Sequence, residues 1–246
     1  MKITQFCWVF FIDPTKELNY AYVMQMRFEN LKPQELEKII KTSGIVYLPL
    51  GTLEWHERHL PLGLDAMVSE ALCLSACEKT GGCVIPPMYF GTDREHNVNG
   101  KILHGMDAKA GKELVGSIYY LNDELFFEVL KSIAKNLAKQ RFIKLVIVSG
   151  HSGTAQRKVI EKLANEKVEK LKIIALSGQS FVGGIDHAGK IETQLMLGID
   201  EKQVKLSELA EPFEGLEGEN PLTASIAEGK KQFNSIVEQI VNLVRG

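Results

Sequence analysis

The sequence lacks the features of a membrane protein, a nucleic-acid-binding protein or a nucleotide-binding enzyme. Its formal net charge over 246 residues is only −2, so bulk charge does not favour nucleic acid or an anionic membrane as a partner. It contains no run of about 18 apolar residues, the minimum for a membrane-spanning helix. It also contains neither the GxGxxG pattern nor a Walker-type phosphate loop.

Cysteine is scarce, and its spacing does not indicate a zinc ribbon. The four cysteines include no pair separated by two residues. Cys73 and Cys77 are four residues apart on a predicted helix, a spacing that would let them share a metal ion. We interpret them as free thiols of the core, because cysteine is among the most buried residue types. Reduced thiols favour the cytoplasm as the compartment.

The rest of the chain predicts one α/β domain with a mostly parallel central sheet flanked by helices. Short apolar runs alternate with amphipathic segments, the pattern of strand–helix–strand units. We predict strands at residues 45–50, 83–86, 144–149 and 171–177. We predict helices from about residue 33 and at residues 66–79, 123–140, 154–167, 191–197 and 224–244. Residues 89–120 show little periodicity, and we expect them to form a lid or a subunit contact.

Histidines and carboxylates are concentrated where the predicted strands end. The chain has six histidines, and four of them lie in three loops: His56 and His59 after the first strand, His151 after residue 149, and His187 after residue 177. The first loop also holds Glu54 and Asp65, and Glu192 follows His187. Ligands of parallel sheets bind beyond the carboxyl ends of the strands, so these loops are expected to meet in one crevice.

The residue types in this crevice predict a metal site. Three carboxylates, those of Glu54, Asp65 and Glu192, would repel one another if no cation were present. Oxygen and nitrogen ligands in this mixture suit zinc, manganese or ferrous iron. Two divalent ions would offset the three charges, with Asp65 as the natural bridge, and a bridging hydroxide would suit hydrolysis of amides.

Several motifs of the sequence resemble those of the creatininase (creatinine amidohydrolase) family. The first family motif is similar to GTLEWHERHLP at residues 51–61, followed by Asp65. The second is similar to residues 149–154, and the third, His-Ala-Gly-x-x-Glu-Thr, is matched in full by residues 187–193. A fourth and weaker family motif is similar to the segment from Phe90-Gly91 to His96. The likeness extends from about residue 26 to residue 198.

This resemblance implies a ligand set and roles for individual residues. One ion would be held by Glu54, Asp65 and His151, and the other by His56, Asp65 and Glu192. His187 would donate a proton to the leaving nitrogen, with Glu192 as a second catalytic residue. His59, His96 and Ser152 would contact substrate, although His59 is equally suited to orienting a ligand and His96 to packing in its loop.

The resemblance also implies a homo-oligomer, a hexamer in the family, that acts on a small cyclic amide or formamide. It implies a domain at residues 26–246, with residues 1–25 as an extension packed on that domain or on a partner subunit. Trp55, Glu57, Arg58, Ser149 and Thr154 depart from the family motifs. These departures argue against creatinine as substrate. One alternative is a formamide hydrolase or a peptide-trimming amidohydrolase, and the other is a catalytically silent relative that binds a metal or small ligand as a regulatory or scaffold protein.

Overall fold

The computed structural model describes residues 25–117, 121–178 and 184–246. The predicted extension at residues 1–25 lies almost wholly outside these ranges, so its packing stays a prediction. Within the described ranges, no helix is both long and apolar enough to cross a membrane.

A parallel sheet forms the centre of the described structure. The strands are β1 (Ile45–Leu50), β2 (Cys83–Val84), β3 (Glu95–Val98), β4 (Lys101–His104), β5 (Lys144–Ser149) and β6 (Lys172–Ser177). The central sheet is four-stranded in the order β2-β1-β5-β6, and all its pairings are parallel. Leu50 lies opposite Ser149, and Ser149 lies opposite Ser177. Three strands therefore end at the same level.

Helices cover both faces of this sheet, which confirms the predicted fold class. They are α1 (Pro33–Thr42), α2 (Leu64–Thr80), α3 (Gly105–Ala110), α4 (Asp123–Lys139), α5 (Thr154–Ala164), α6 (Lys190–Asp200) and α7 (Ile226–Arg245). Tyr47, Val146 and Val148 pack in a core with α2, α6 and α7. Val46, Leu48 and Ile147 point to the other face and pack with α1, α4 and α5. Burial on both faces explains why β1 and β5 are continuous apolar runs.

Two parts of the structure differ from the prediction. The second strand stops at Val84 rather than residue 86, since Pro86 and Pro87 lack the N–H groups that continue a ladder. The segment at residues 89–120 contains a β3–β4 hairpin and the short helix α3. Asn99 and Gly100, both with positive φ, form the hairpin turn, a strong signal that hydrophobic periodicity does not detect. The role of residues 89–120 as a lid or a subunit contact stays a prediction.

Candidate metal centre

The loop after β1 delivers two buried side chains to the end of the sheet. Glu54 is 2% exposed and His56 is fully buried. Asp65 lies in the first turn of α2, which packs directly against the start of this loop. A Cβ atom on Gly51 would lie 2.2 Å from the amide nitrogen of Ala66. Glycine at this position therefore allows the carboxylate of Asp65 to reach the strand end.

The loop after β5 brings His151 to the same place. His151 Nδ1 lies 2.9 Å from Glu54 Oε1 and 3.3 Å from Asp65 Oδ2. The hydroxyl of Ser149 donates to the carbonyl of His151 and accepts a hydrogen bond from the side chain of Gln156. Ser149 departs from the family motif, but its hydroxyl both donates and accepts a hydrogen bond and so holds this loop.

The third loop supplies Glu192 from the first turn of α6. The carboxylate of Asp186 accepts hydrogen bonds from the backbone amides of Ile191 and Glu192 and so fixes the start of the helix. Glu192 Oε2 accepts a hydrogen bond from the amide of Ala188 and lies 3.7 Å from His56 Nε2. All five residues predicted as metal ligands therefore meet in one cluster, in which four are buried and the Glu192 side chain is 17% exposed.

The carboxylate of Asp65 stands between two imidazoles. Its Oδ1 lies 3.5 Å from His56 Nε2, and its Oδ2 lies 3.3 Å from His151 Nδ1. His56, Asp65 and Glu192 also place one potential ligand atom each within 4.8 Å of the others. This arrangement fits the predicted bridging role, because each oxygen of one carboxylate faces a different set of ligands.

Several polar atoms of the cluster are buried without a hydrogen-bond partner in the described part of the chain. They are Glu54 Oε2, His56 Nε2, Asp65 Oδ2 and His151 Nε2. Buried polar atoms in folded proteins are nearly always satisfied. Such atoms on Glu54, His56 and Asp65 are the pattern expected of a cation site, whereas His151 Nε2 lies 3.4 Å from Asp93.

Without ions, protons on the imidazoles compensate the buried carboxylates. Burial lowers the pKa of His56, but the carboxylates of Asp65, Glu192 and Glu54 outweigh it and raise the pKa to about 10. Burial raises the pKa of Glu192 to about 8. Burial also opposes ionisation of Asp65, yet its contacts with His151 and His56 hold its pKa well below the usual range. Divalent cations would replace these imidazole protons.

His187 completes the cluster without belonging to the two proposed ligand sets. Its ring stacks on that of His56 with centroids 4.4 Å apart. Its Nε2 lies 2.7 Å from the carbonyl oxygen of Trp55, and since a carbonyl only accepts, this nitrogen carries the proton. Nδ1 then has the free lone pair and lies 3.9 Å from Glu54 Oε1. Burial and the nearby His56 lower the pKa of His187 to about 3.

The three residues predicted to contact substrate lie in three different surroundings. Ser152 lines a cavity together with Asp65, Asp186 and Glu192. His59 is buried, and its Nε2 lies 2.9 Å from the hydroxyl of Thr193 on α6, which favours the orienting role. His96 is exposed on β3 and is not part of the buried cluster.

Sequence reasoning missed residues that hold the cluster from outside. Asp93 lies 3.4 Å from His151 Nε2, and Asp186 caps α6. Glu57, another departure from the family motif, has φ +54° and is buried, and its carboxylate accepts hydrogen bonds from the amides of Glu214 and Gly215. The contacts of Asp93 and Glu57 join segments distant in the sequence, so no local pattern identifies them, whereas Asp186 contacts residues only five and six positions along the chain.

Comparison with known proteins identifies the family. The family model described as creatininase (creatinine amidohydrolase) matches residues 29–244. Creatinine amidohydrolase of Pseudomonas putida is 24% identical over 63% of this chain and 64% of its own length, so the match spans slightly less than two thirds of that relative. Mycofactocin precursor peptide peptidase of Mycobacterium ulcerans is 24% identical over 81% of this chain and 84% of its own.

Solved structures show the same fold. A manganese form of creatininase matches with a TM-score of 0.70 and 21% identity, covering 89% of this chain and 97% of the other. A mutant creatininase of the Zn-Zn type matches with a TM-score of 0.68 and 20% identity, with the same coverage. Since the family model covers residues 29–244, this chain belongs to the creatininase family.

Proposed function

We propose that this protein is a metal-dependent hydrolase that cleaves a C–N amide bond of a small cyclic amide or formamide. The observation that carries the proposal is the carboxylate of Asp65, whose two oxygens face His56 and His151. The polar atoms left without partners around it support a cation site. The hydrolase activities named for the family relatives support the reaction class.

Two divalent ions, of zinc, manganese or iron, would fit the donor atoms. Glu54, Asp65 and His151 would hold one ion, and His56, Asp65 and Glu192 the other. Nitrogen and carboxylate oxygen ligands suit these metals, and the zinc and manganese forms of the structural neighbours agree with that choice. When bound, such a pair of ions activates water as a nucleophile at neutral pH and polarises the amide carbonyl.

His187 is the residue best placed to move a proton. The leaving nitrogen of an amide must be protonated before it departs. The Nε2 proton of His187 is committed to the carbonyl of Trp55, so Nδ1 is the atom that takes a proton from the attacking water and passes it on. Burial and the nearby His56 lower the pKa of His187, so the ring is neutral at pH 7 before it takes up a proton. Glu192 is the second proton carrier.

Substrate would be recognised at the cavity beside these residues. Ser152 offers a hydroxyl to a polar group of the substrate, and Asp65 and Glu192 line the same cavity. His96 could contact substrate only from the exposed hairpin, and that role stays a prediction. His59, which contacts Thr193 on α6, would orient the neighbouring ligand Glu192 rather than contact substrate.

The test is hydrolysis of a panel of cyclic amides and formamides by the metal-loaded protein. His187→Asn removes proton transfer, and Glu192→Gln disturbs ion binding as well, so each should reduce kcat/KM by at least about a hundredfold. Glu201→Gln, on the exposed residue that follows α6, is the control and should retain full activity. Absence of hydrolysis in every substrate class by loaded wild-type protein would favour the catalytically silent alternative.

The proposal includes a cytoplasmic homo-oligomer, a hexamer by resemblance. Large apolar side chains exposed in the segment at residues 89–120 support a subunit contact there: Ile102 is 55% and Val115 80% exposed. Sedimentation equilibrium measures the assembly directly. A mass close to that of one 27.5 kDa chain would contradict this part of the proposal.

A further inference from the structure

Asp93, in the segment between β2 and β3, approaches Nε2 of His151, whereas Glu54 and Asp65 approach Nδ1 of the same ring. Its Oδ2 is 3.4 Å from His151 Nε2, and its side chain is only 12% exposed. Its other oxygen accepts a hydrogen bond of 2.6 Å from the amide of Arg94. The carboxylate is therefore held with one oxygen directed at the imidazole.

The two nitrogens of His151 face different surroundings. Nδ1 faces Glu54 at 2.9 Å and Asp65 at 3.3 Å, where two carboxylates would share a cation. Among the described residues Nε2 has no hydrogen-bond partner in its buried position, and a shift of about 0.5 Å would bring Asp93 to hydrogen-bond length. A neutral imidazole carries one proton, so a proton on Nε2 leaves the lone pair on Nδ1.

Gly153 provides the space for this contact. A Cβ atom at that position would lie 2.3 Å from His151 Nε2 and 3.0 Å from Asp93 Cγ. The φ of Gly153 is −50°, which any residue can adopt. Glycine is needed here because Asp93 and His151 meet beside it, rather than because of the backbone conformation.

We propose that Asp93 is a positioning residue of the metal centre: it accepts the Nε2 proton of His151 and thereby presents Nδ1 to the ion shared with Glu54 and Asp65. Carboxylates that accept the second N–H of a metal-binding histidine fix its tautomer and ring orientation. The inference rests on the proposed metal centre. The competing role is direct ligation, since Asp93, Glu54 and His151 also place ligand atoms within 4.8 Å of one another.

The test is a zinc titration of the chelated full-length protein against a chromogenic chelator. Removal of an orienting carboxylate typically weakens metal binding by 10–100-fold, so Asp93→Ala should weaken one of two binding steps by about that factor. Asp93→Asn should recover most of the loss, because its amide oxygen still accepts the Nε2 proton. Glu95→Ala, two residues along on the exposed strand β3, is the matched control and should bind as the wild type does.

Cobalt substitution separates positioning from ligation. With Asp93 outside the ligand set, Asp93→Ala at saturating Co²⁺ should bind as many ions as the wild type and give the same visible absorption bands. Loss of one ion in both Asp93 variants, with altered bands, would identify a ligand and overturn the proposal. Unchanged zinc affinity in Asp93→Ala would overturn the positioning role and leave the proposed function intact. A wild-type protein that binds no ion would overturn both.

Discussion

The imidazole of His59 lies 2.9 Å from the hydroxyl of Thr193 and joins the loop after β1 to α6, 134 residues along the chain. Thr193 follows the predicted ligand Glu192 on α6, so this contact fixes the helix that carries the ligand. His59 Nδ1 is itself buried without a partner in the described part of the chain, and the link to Thr193 is the one hydrogen bond that the ring makes there.

Replacement of Thr193 should therefore destabilise the fold. Thr193→Val keeps the shape but leaves the buried ring of His59 unpaired, which costs about 1–3 kcal/mol. Thr193→Ser keeps the hydroxyl and should recover most of that loss. Urea unfolding of both variants measures the difference, and equal stability of Val and Ser variants would show that the hydrogen bond contributes nothing.

His59 should also make the metal-free protein sensitive to acid. Burial and the nearby His56 lower the pKa of His59 to about 4, against about 6.5 in an unfolded chain. Since the unfolded chain binds this proton first, the contribution to stability is complete above pH 6.5 and is lost as the pH falls towards 4. The total loss from this one group is about 2 kcal/mol or more.

The measurement is urea unfolding of the chelated protein at about pH 7 and about pH 4.5. His59→Gln cannot take up the proton, so its stability should fall less between these two pH values than that of the wild type. An identical fall in both proteins would contradict the role of His59.

Glu57 should stabilise the fold through the loop that it holds. Glu57→Ala leaves the part-buried amide of Glu214 and the buried amide of Gly215 without their acceptor, which costs about 1–3 kcal/mol. Glu57→Gln keeps an acceptor oxygen at the same positive φ, so the comparison isolates the two hydrogen bonds from backbone strain. A Glu57→Ala variant as stable as the Gln variant in urea would exclude this role.

Gly150 should tolerate no side chain, because the backbone of Asp65 lies against it. A Cβ atom there would be 2.1 Å from the carbonyl oxygen of Asp65. Gly150→Ala should cost about 1–3 kcal/mol or more and should reduce metal content by displacing Asp65. Gly184→Ala is the control, since no atom of the residues that the structure describes lies within 4 Å of its Cβ position. Equal Tm and metal content in the two variants would refute the packing argument.

How far the sequence predicts this structure depends on whether the information is local. β1 and β5 are predicted to the residue, because fully buried strands are apolar runs with clear ends. The β3–β4 hairpin is missed because its strands are exposed and Glu95, His96 and Asn97 show no apolar alternation. The candidate ligand cluster follows from residue types at strand ends. Asp93 against His151 depends on tertiary packing alone.

The same distinction explains the departures from the family motif. In the sequence, Glu57 and Ser149 replace residues of the family motif, which suggests a loss of activity. In the structure each makes hydrogen bonds that hold a loop of the site. The sequence shows which residue has changed, but only the fold shows what the new side chain contacts.

Metal content tests the central claim most directly. Elemental analysis of the purified, unchelated protein should find about two divalent ions per chain. Asp65→Ala should lose them, because this carboxylate faces both ligand sets, whereas Asp200→Ala, at the far end of α6, should keep them. Less than about one ion per chain, unaltered in Asp65→Ala and not restored by added zinc, manganese or iron, would contradict a two-ion centre bridged by Asp65.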